Sequence, residues 1–345
     1  MIFANKIRST APLRIAFGGG GTDIFNYSST YGGFVLNSTI SLRVEVTIDK
    51  NSEGINSYFS MDSEQKISYE LVSEDFSKDI CFLLRKVHLI LMEDYPELKK
   101  IPLSITSYSQ VPYGSGLGTS STICVALIQG LLHLIGIFLK PHQLADYAYK
   151  IERNKLKILG GCQDHFAAAV GGFNFLEINK NEITANSLRI NKNIVSELEM
   201  STILAIGKMT RKSSEIIKDQ TESLKNSRSK KTLNALHISK KIAQELKNSL
   251  LKQDLKNFFD ISKRIWDVKK NFAPSIVPNS YDNLYHSLIN LGAYSCKISG
   301  AGGGGFITIF VEPSKKKYLI DYLRQSNFEV YPFHFVRQGA RSWTV

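Results

Sequence analysis

The run G-S-G-L-G-T-S-S at 114–121, glycines leading straight into hydroxyl residues, is the part of this sequence best suited to chemistry. Glycine takes positive φ readily and lets backbone approach a ligand closely. A helix start adds unpaired N–H groups and a partial positive charge. Together they make an anion site suited to phosphates. Gly114, Ser115, Gly116, Leu117, Gly118, Thr119, Ser120 and Ser121 are therefore candidate phosphate binders. The hydroxyls of Thr119, Ser120 and Ser121 can also serve Mg²⁺. A tight strand-to-helix turn with Ser/Thr capping would use the same residues, so the neighbours must decide. The run is not a Walker A loop, and the G-x-G-x-x-G, H-R-D, D-F-G, H-E-x-x-H and G-x-S-x-G signatures are absent.

Two acids follow, Glu152 and Asp164, with Gly160, Gly161 and Cys162 between them. Mg²⁺ takes one or two carboxylates plus phosphate oxygens. Phosphoryl transfer needs an acid to orient or accept the acceptor's hydroxyl proton. Taken singly, Glu152 reads equally as a surface helix charge, and Asp164 as a first-turn carboxylate at a helix start. Upstream, P-L-R-I-A-F-G-G-G-G-T-D (12–23) places Arg14 on a strand and Asp23 just past four glycines. Asp23 suits sugar hydroxyls, and Arg14 suits a developing negative charge; equally, Arg14 reads as a partly buried structural arginine and Asp23 as a cap for a helix near Phe25. Gly19, Gly20, Gly21 and Thr22 complete that candidate substrate segment. Gly302 and Gly303, in K-I-S-G-A-G-G-G-G-F (297–306), either cradle an anion or turn tightly beside the site.

These groups need strands and helices to hold them. Alternation predicts strands over 12–18, 43–48 and 102–109, the last feeding the 111–121 loop. A long apolar helix follows over 120–139. Pro141 opens another through 155, and a short helix carries Asp164. The segment 171–178 returns as a strand. From 201 a strand opens a second domain, with helices over 213–225, 230–250, 255–271, 281–291 and 314–325. Strands over 293–299, 306–311 and 328–336 accompany them. The mixture lacks strict βαβ alternation, which gives an α+β class, with domains expected at 1–195 and 196–345.

Of 24 glycines in 345 residues, 16 fall in four clusters embedded in apolar sequence, so they read as ordered loops. Four scattered cysteines without a C-x-x-C pair suit a reducing cytosol, and no signal-peptide core opens the chain. The uncharged run 123–139 is short for a membrane span and is interrupted by Gln129, Gly130, His133 and Gly136, so it reads as a buried helix. The net charge of +12 is concentrated. Residues 208–270 hold 17 Lys and Arg against 7 Asp and Glu. A nucleic-acid face is one reading, but the stretch lacks interleaved aromatics, which favours a solvated helical face.

Taken in order, PLRIAFGGGGTD, VPYGSGLGTSS, GGCQDHFAAAVGG and KISGAGGGGF resemble the GHMP kinase superfamily over nearly the whole chain. YPFHFVRQGAR, TRKSSEIIKDQ and WDVKK look most like its D-glycero-D-manno-heptose 7-phosphate kinases. The resemblance implies a first domain like domain 2 of ribosomal protein S5, a ferredoxin-like second domain, and ATP between them on the 114–121 loop. It also implies Ser120 and Glu152 as Mg²⁺ ligands, Asp164 as the catalytic aspartate, Arg14 facing the reacting hydroxyl, and Asp23 on the sugar. Where galactokinases carry a Glu-His pair, this chain has Gly20 and Gly21, which suits an anionic sugar phosphate. The expected partners are ATP and a sugar phosphate, in a cytoplasmic monomer or homodimer. Lys208, Arg211 and Arg341 are candidates for the distal phosphate. Fucose or galactose remains the alternative acceptor, with nucleic acid a distant one.

Overall fold

The structure, a computed structural model, describes residues 5–62, 65–68, 80–180, 182–208, 213–226 and 229–345. The first half runs β1 (Lys6–Gly18), α1 (Phe25–Tyr31), β2 (Gly33–Lys50), β3 (Ser57–Ser60), β4 (Gln65–Ser68), α2 (Ile80–Asp94), β5 (Leu103–Ser109), α3 (Thr119–Leu134), α4 (Pro141–Tyr149), α5 (Gln163–Val170), β6 (Phe173–Asn179), β7 (Glu182–Ser187) and α6 (Lys192–Met200). The second runs β8 (Thr202–Ile206), α7 (Ser213–Ser223), α8 (Ser229–Leu251), α9 (Leu255–Ser262), α10 (Arg264–Lys270), α11 (Asn279–Asn290), β9 (Ala293–Ile298), β10 (Phe306–Val311), α12 (Pro313–Gln325), β11 (Glu329–Tyr331) and β12 (Arg341–Thr344). Helices and largely antiparallel sheets alternate irregularly, which is the α+β class read from the sequence.

Two sheets organise the chain. The first has the order β12-β1-β2-β5-β3-β4. One edge of the long β2 pairs along β1. Its other edge is shared, with Gly33–Ser38 pairing β6 and Val44–Lys50 pairing β5. The second sheet is β11-β8-β10-β9, antiparallel throughout. The last strand returns to the first sheet, with Ile7 opposite Thr344 and Thr10 opposite Arg341. The chain end beyond residue 196 is therefore not confined to the second sheet.

Strand alternation fixes how the sheets meet, because successive side chains point to opposite faces. Leu204, Ile206, Phe306 and Phe310 join the core that also holds Phe17 and Phe258. Ile203, Ala205, Ile307 and Ile309 face the other way, onto Trp266, Tyr281, Leu288 and Leu319. The Phe258 ring stands edge-on to both Phe17 and Phe310 at 5.7 Å, so one aromatic side chain joins the two halves. Helix α8 buries Ala235, Leu236, Ser239, Ile242, Ala243 and Leu246 at helical spacing. It lies close against the end of β1 because Gly18 has no side chain. A Cβ there would come within 2.8 Å of Leu246 Cδ1.

Several boundaries differ from the sequence expectation for identifiable reasons. The helix expected over 120–139 ends at Leu134. Gly136 at φ +76° turns the chain, and its N–H and that of Ile137 bond back to His133 O and Leu132 O. The helix expected over 255–271 is two, meeting at Lys263. Of 328–336, Glu329–Tyr331 pairs as strand and Phe335 makes an isolated bridge to Ile40. Helices α1, α2 and α6 and strands β3, β4, β7 and β12 add to the elements read from the sequence. Among the described residues no helix is long and apolar enough to cross a membrane, and α3 is buried along most of its length. All four cysteines are buried and free.

Candidate active site

The 114–121 loop takes its shape from three positive-φ glycines, Gly114 (+77°), Gly116 (+98°) and Gly118 (+84°), the last preceding α3. No side chain caps α3, so its first-turn amides stay available to a ligand. Gly116 packs so closely on Ser299 O that a Cβ would sit at 2.9 Å, and Phe306 N donates to Ser115 O at 2.9 Å. The loop is thus pinned to the second sheet. Gly114, Gly116, Gly118, Thr119, Ser120 and Ser121 line a cavity of about 1360 Å³. Ser115 and Leu117 do not. Leu117 is a core residue whose carbonyl accepts from Arg14 N. Thr119 lines that cavity, and its Oγ1 is buried without a partner.

Glu152 sits on a π-helical turn, Lys150–Lys155, that continues α4. Such a turn shifts the register of the helix and commonly marks a functional position. The carboxylate is fully buried and heavily bonded. Ser120 Oγ donates to Oε1 and Ser121 Oγ to Oε2, both at 2.7 Å. Arg153 Nη1 lies 3.2 Å from Oε1 and His165 Nε2 lies 2.5 Å from Oε2. Burial would raise the Glu152 pKa, but Arg153, His165 and the hydrogen bonds outweigh it and hold the carboxyl well below the usual range. A carboxylate whose neighbours favour its charged form, beside a serine hydroxyl, both on the cavity wall, is a hard oxygen donor pair that fits Mg²⁺.

Asp164 stands in the first turn of α5, and Arg14 reaches it from β1, with Nε 2.5 Å from Oδ1. Arg14 Nη1 also donates to Gly116 O at 2.7 Å. One guanidinium thus ties the acid to the phosphate loop. Gly118 shares in this arrangement, because a Cβ there would lie 2.8 Å from Asp164 Cγ.

On the far side of Asp164, Gly19, Gly20, Gly21 and Asp23 line the same cavity. Gln163 donates to Asp23 Oδ2 from its backbone N at 3.3 Å and its Nε2 at 3.1 Å. Burial, then the charge of Asp164, pushes the Asp23 pKa up against those bonds. Gly161 leaves the room this carboxylate occupies, since a Cβ would fall 1.9 Å from Oδ2. Thr22 points away from the cavity. Its Oγ1 bonds Gly19 O and Phe34 O, closing the glycine turn. Gly302 and Gly303 also lie off the wall, packed on the Ile276 carbonyl, and Gly300 and Ala301 take their place.

Sequence reasoning did not single out Gln163, Gln220, Ser239, Lys269 or Lys297, all on the cavity wall. Gln220 and the two lysines lie inside segments already recognised by resemblance, but nothing in their spacing marked them as site residues. Gln220 Nε2 is buried without a partner, and Ser239 Oγ donates to Gly20 O at 3.2 Å. Lys208 is exposed and off the wall. Arg341 lies on β12 over the Trp343 ring, and Arg211 falls outside the described residues. Much of the basic 208–270 stretch serves packing. Lys240 bonds Tyr31 O, Lys247 covers the Phe175 ring, and Arg264 and Lys270 pair with Glu245 and Asp282.

Family models described as GHMP kinases N terminal domain and GHMP kinases C terminal match residues 83–172 and 246–329. D-glycero-alpha-D-manno-heptose 7-phosphate kinase of Campylobacter jejuni is 37% identical, covering 98% of this chain and 99% of its own. The crystal structure named as a D-glycero-D-manno-heptose 1-phosphate kinase of Bacteroides thetaiotaomicron superposes with a TM-score of 0.80 at 32% identity, covering 98% and 99%. A mevalonate kinase structure, 18% identical with a TM-score of 0.72 over 96% and 99%, shares the fold. The chain belongs to the GHMP kinases, phosphotransferases with an alcohol acceptor.

Proposed function

We propose that the chain phosphorylates the anomeric hydroxyl of D-glycero-D-manno-heptose 7-phosphate with ATP, giving the 1,7-bisphosphate for nucleotide-activated heptose of capsule or lipopolysaccharide. The observation that carries this reading is the Arg14–Asp164 pair, which stands between the 114–121 loop and the Gly19–Asp23 segment in one cavity. The heptose 7-phosphate kinase relative supports the acceptor. The structural relative's name specifies heptose 1-phosphate instead; the 7-phosphate is preferred because the Campylobacter jejuni relative is 37% identical against 32%, and because a 7-phosphate leaves the anomeric oxygen free.

In this reading the loop amides and the start of α3 bind the β- and γ-phosphates. Asp23 and the Gly19–Gly21 backbone hold the sugar with its hydroxyl against Asp164. Arg14 fixes the carboxylate, which accepts the hydroxyl proton as the oxygen attacks, and offers its charge to the phosphoryl group in transit. Ser120 and Glu152 would hold Mg²⁺, which neutralises charge on the phosphate oxygens when bound. Catalysis then rests on positioning and charge neutralisation. A nucleotide-fed reaction of this kind belongs in the cytoplasm, with residues 1–195 and 196–345 as its two domains except for β12, which returns to the first sheet.

The test is ADP release with heptose 7-phosphate, heptose 1-phosphate, galactose, fucose and mevalonate. Preference for heptose 7-phosphate is expected, and preference for any other acceptor overturns the assignment. Asp164→Asn should lower kcat about 10²–10⁴-fold with ATP affinity retained. Near-normal turnover would remove Asp164 from its role.

A further inference from the structure

One buried cation, Lys297, stands out among the described residues. Lys297, near the end of β9, is 6% exposed and lies on the cavity wall. Among the described residues no hydrogen-bond or ion-pair partner faces its ammonium. Three other buried or largely buried cations on the same wall are occupied. Arg14 holds Asp164 and Gly116 O, Arg153 holds Glu152 and Gly161 O, and Lys269 Nζ donates to Ile298 O and Gly300 O at 2.8 Å each. Lys269 thereby anchors the backbone on both sides of Ser299, against which Gly116 packs.

Lys297 is thus held at the seam between the phosphate loop and the acceptor segment. The groups acting on it come from every side: Arg14 on β1, Asp23 beyond β1, Asp164 on α5 and Lys269 on α10. Burial, then Arg14, pushes its pKa down to about 7, against the pull of Asp23 and Asp164. Leaving a charge buried and unpaired is costly unless something compensates it. A dianionic phosphate is the compensating group that a cavity of this kind receives.

We infer that Lys297 takes a phosphate oxygen in the cavity, and so is a phosphate-contacting residue in addition to the loop amides and Arg14. The oxygen comes either from the acceptor's own phosphate or from the phosphoryl group in transit. The acceptor source rests on the function proposed above, whereas the phosphate chemistry does not. Binding should draw a proton onto Lys297 above neutrality.

Lys297→Met keeps the stem and removes the charge. Calorimetry with inorganic phosphate, in two buffers of different ionisation enthalpy, should show proton uptake by the native protein and none by the variant. Steady-state kinetics with ATP and heptose 7-phosphate then separate the sources. A rise of about thirtyfold or more in the acceptor KM alone assigns the acceptor's phosphate. A comparable fall in kcat with both KM values kept assigns the phosphoryl in transit. Unchanged proton uptake and kinetics within about twofold of native overturn the inference. So does a clear drop in Tm, because removing an unpaired buried charge should leave the fold as stable or more so. A native protein that binds phosphate through Lys297 but ignores heptose 7-phosphate would overturn the proposed acceptor and leave the inference standing.

Discussion

Gly20 and Gly21 are adjacent and look interchangeable in the sequence, but the molecule treats them differently. A Cβ at Gly20 meets nothing within 4 Å, whereas Gly21 has φ +87° and a Cβ there would strike Gln220 Nε2 at 2.8 Å. Gly20→Glu is therefore a clean probe of acceptor charge. It should fold normally and raise the KM for heptose 7-phosphate about tenfold or more by like-charge repulsion, leaving the KM for ATP unchanged. An unchanged acceptor KM would separate this segment from the sugar phosphate. Lys297 makes a second statement at this scale. Between its folded value of about 7 and the ordinary 10.5, the unfolded chain binds a proton that the folded chain does not. Its contribution makes stability rise with pH across that window, with the full penalty present below it. Denaturant titrations should show a shallower rise for Lys297→Met than for the native chain.

At the scale of elements, the site depends on where α3 and α5 begin. Gly118 precedes α3 and Asp164 lies in the first turn of α5, and the two touch. Gly118→Ala adds one methyl in a positive-φ position and displaces the carboxylate. Turnover should fall about a hundredfold while α3 persists by circular dichroism. Native-like turnover would show that the carboxylate tolerates the shift. Glu152 illustrates the limit of reading helices by period. The residues 141–155 read as one helix, and the π-helical turn that presents Glu152 depends on its contacts with Ser120, Ser121, Arg153 and His165. No residue in Lys150–Lys155 announces it.

At the scale of the molecule, the two sheets share one core. Phe258 is fully buried between Phe17 of β1 and Phe310 of β10. Phe258→Ala should cost about 3–5 kcal/mol and keep a single unfolding transition. Two separated transitions would mean that the halves fold independently. Strand β12 adds a second tie by carrying the chain end back to β1. Such a tie is invisible in sequence order, because Ile7 and Thr344 stand at opposite ends of the chain and short strands pair according to available edges.

Local devices are legible along the chain: the glycine loop before α3, the strand bearing Arg14, the acids flanking Gly160 and Gly161, and the family these motifs resemble in order. Those readings are available because turn chemistry and periodicity are properties of neighbours along the chain. Tertiary structure decided which devices meet. It put Arg14 on Asp164 across 150 residues, turned Thr22, Ser115 and Leu117 away from the cavity, and brought Gln220, Lys269 and Lys297 onto its wall. Lys297 is the same residue type as the exposed Lys241 of α8. The packing of β9 beside Gly300–Gly305 is what buries Lys297 and puts it on the cavity wall, because burial and pairing are set by contacts remote in sequence.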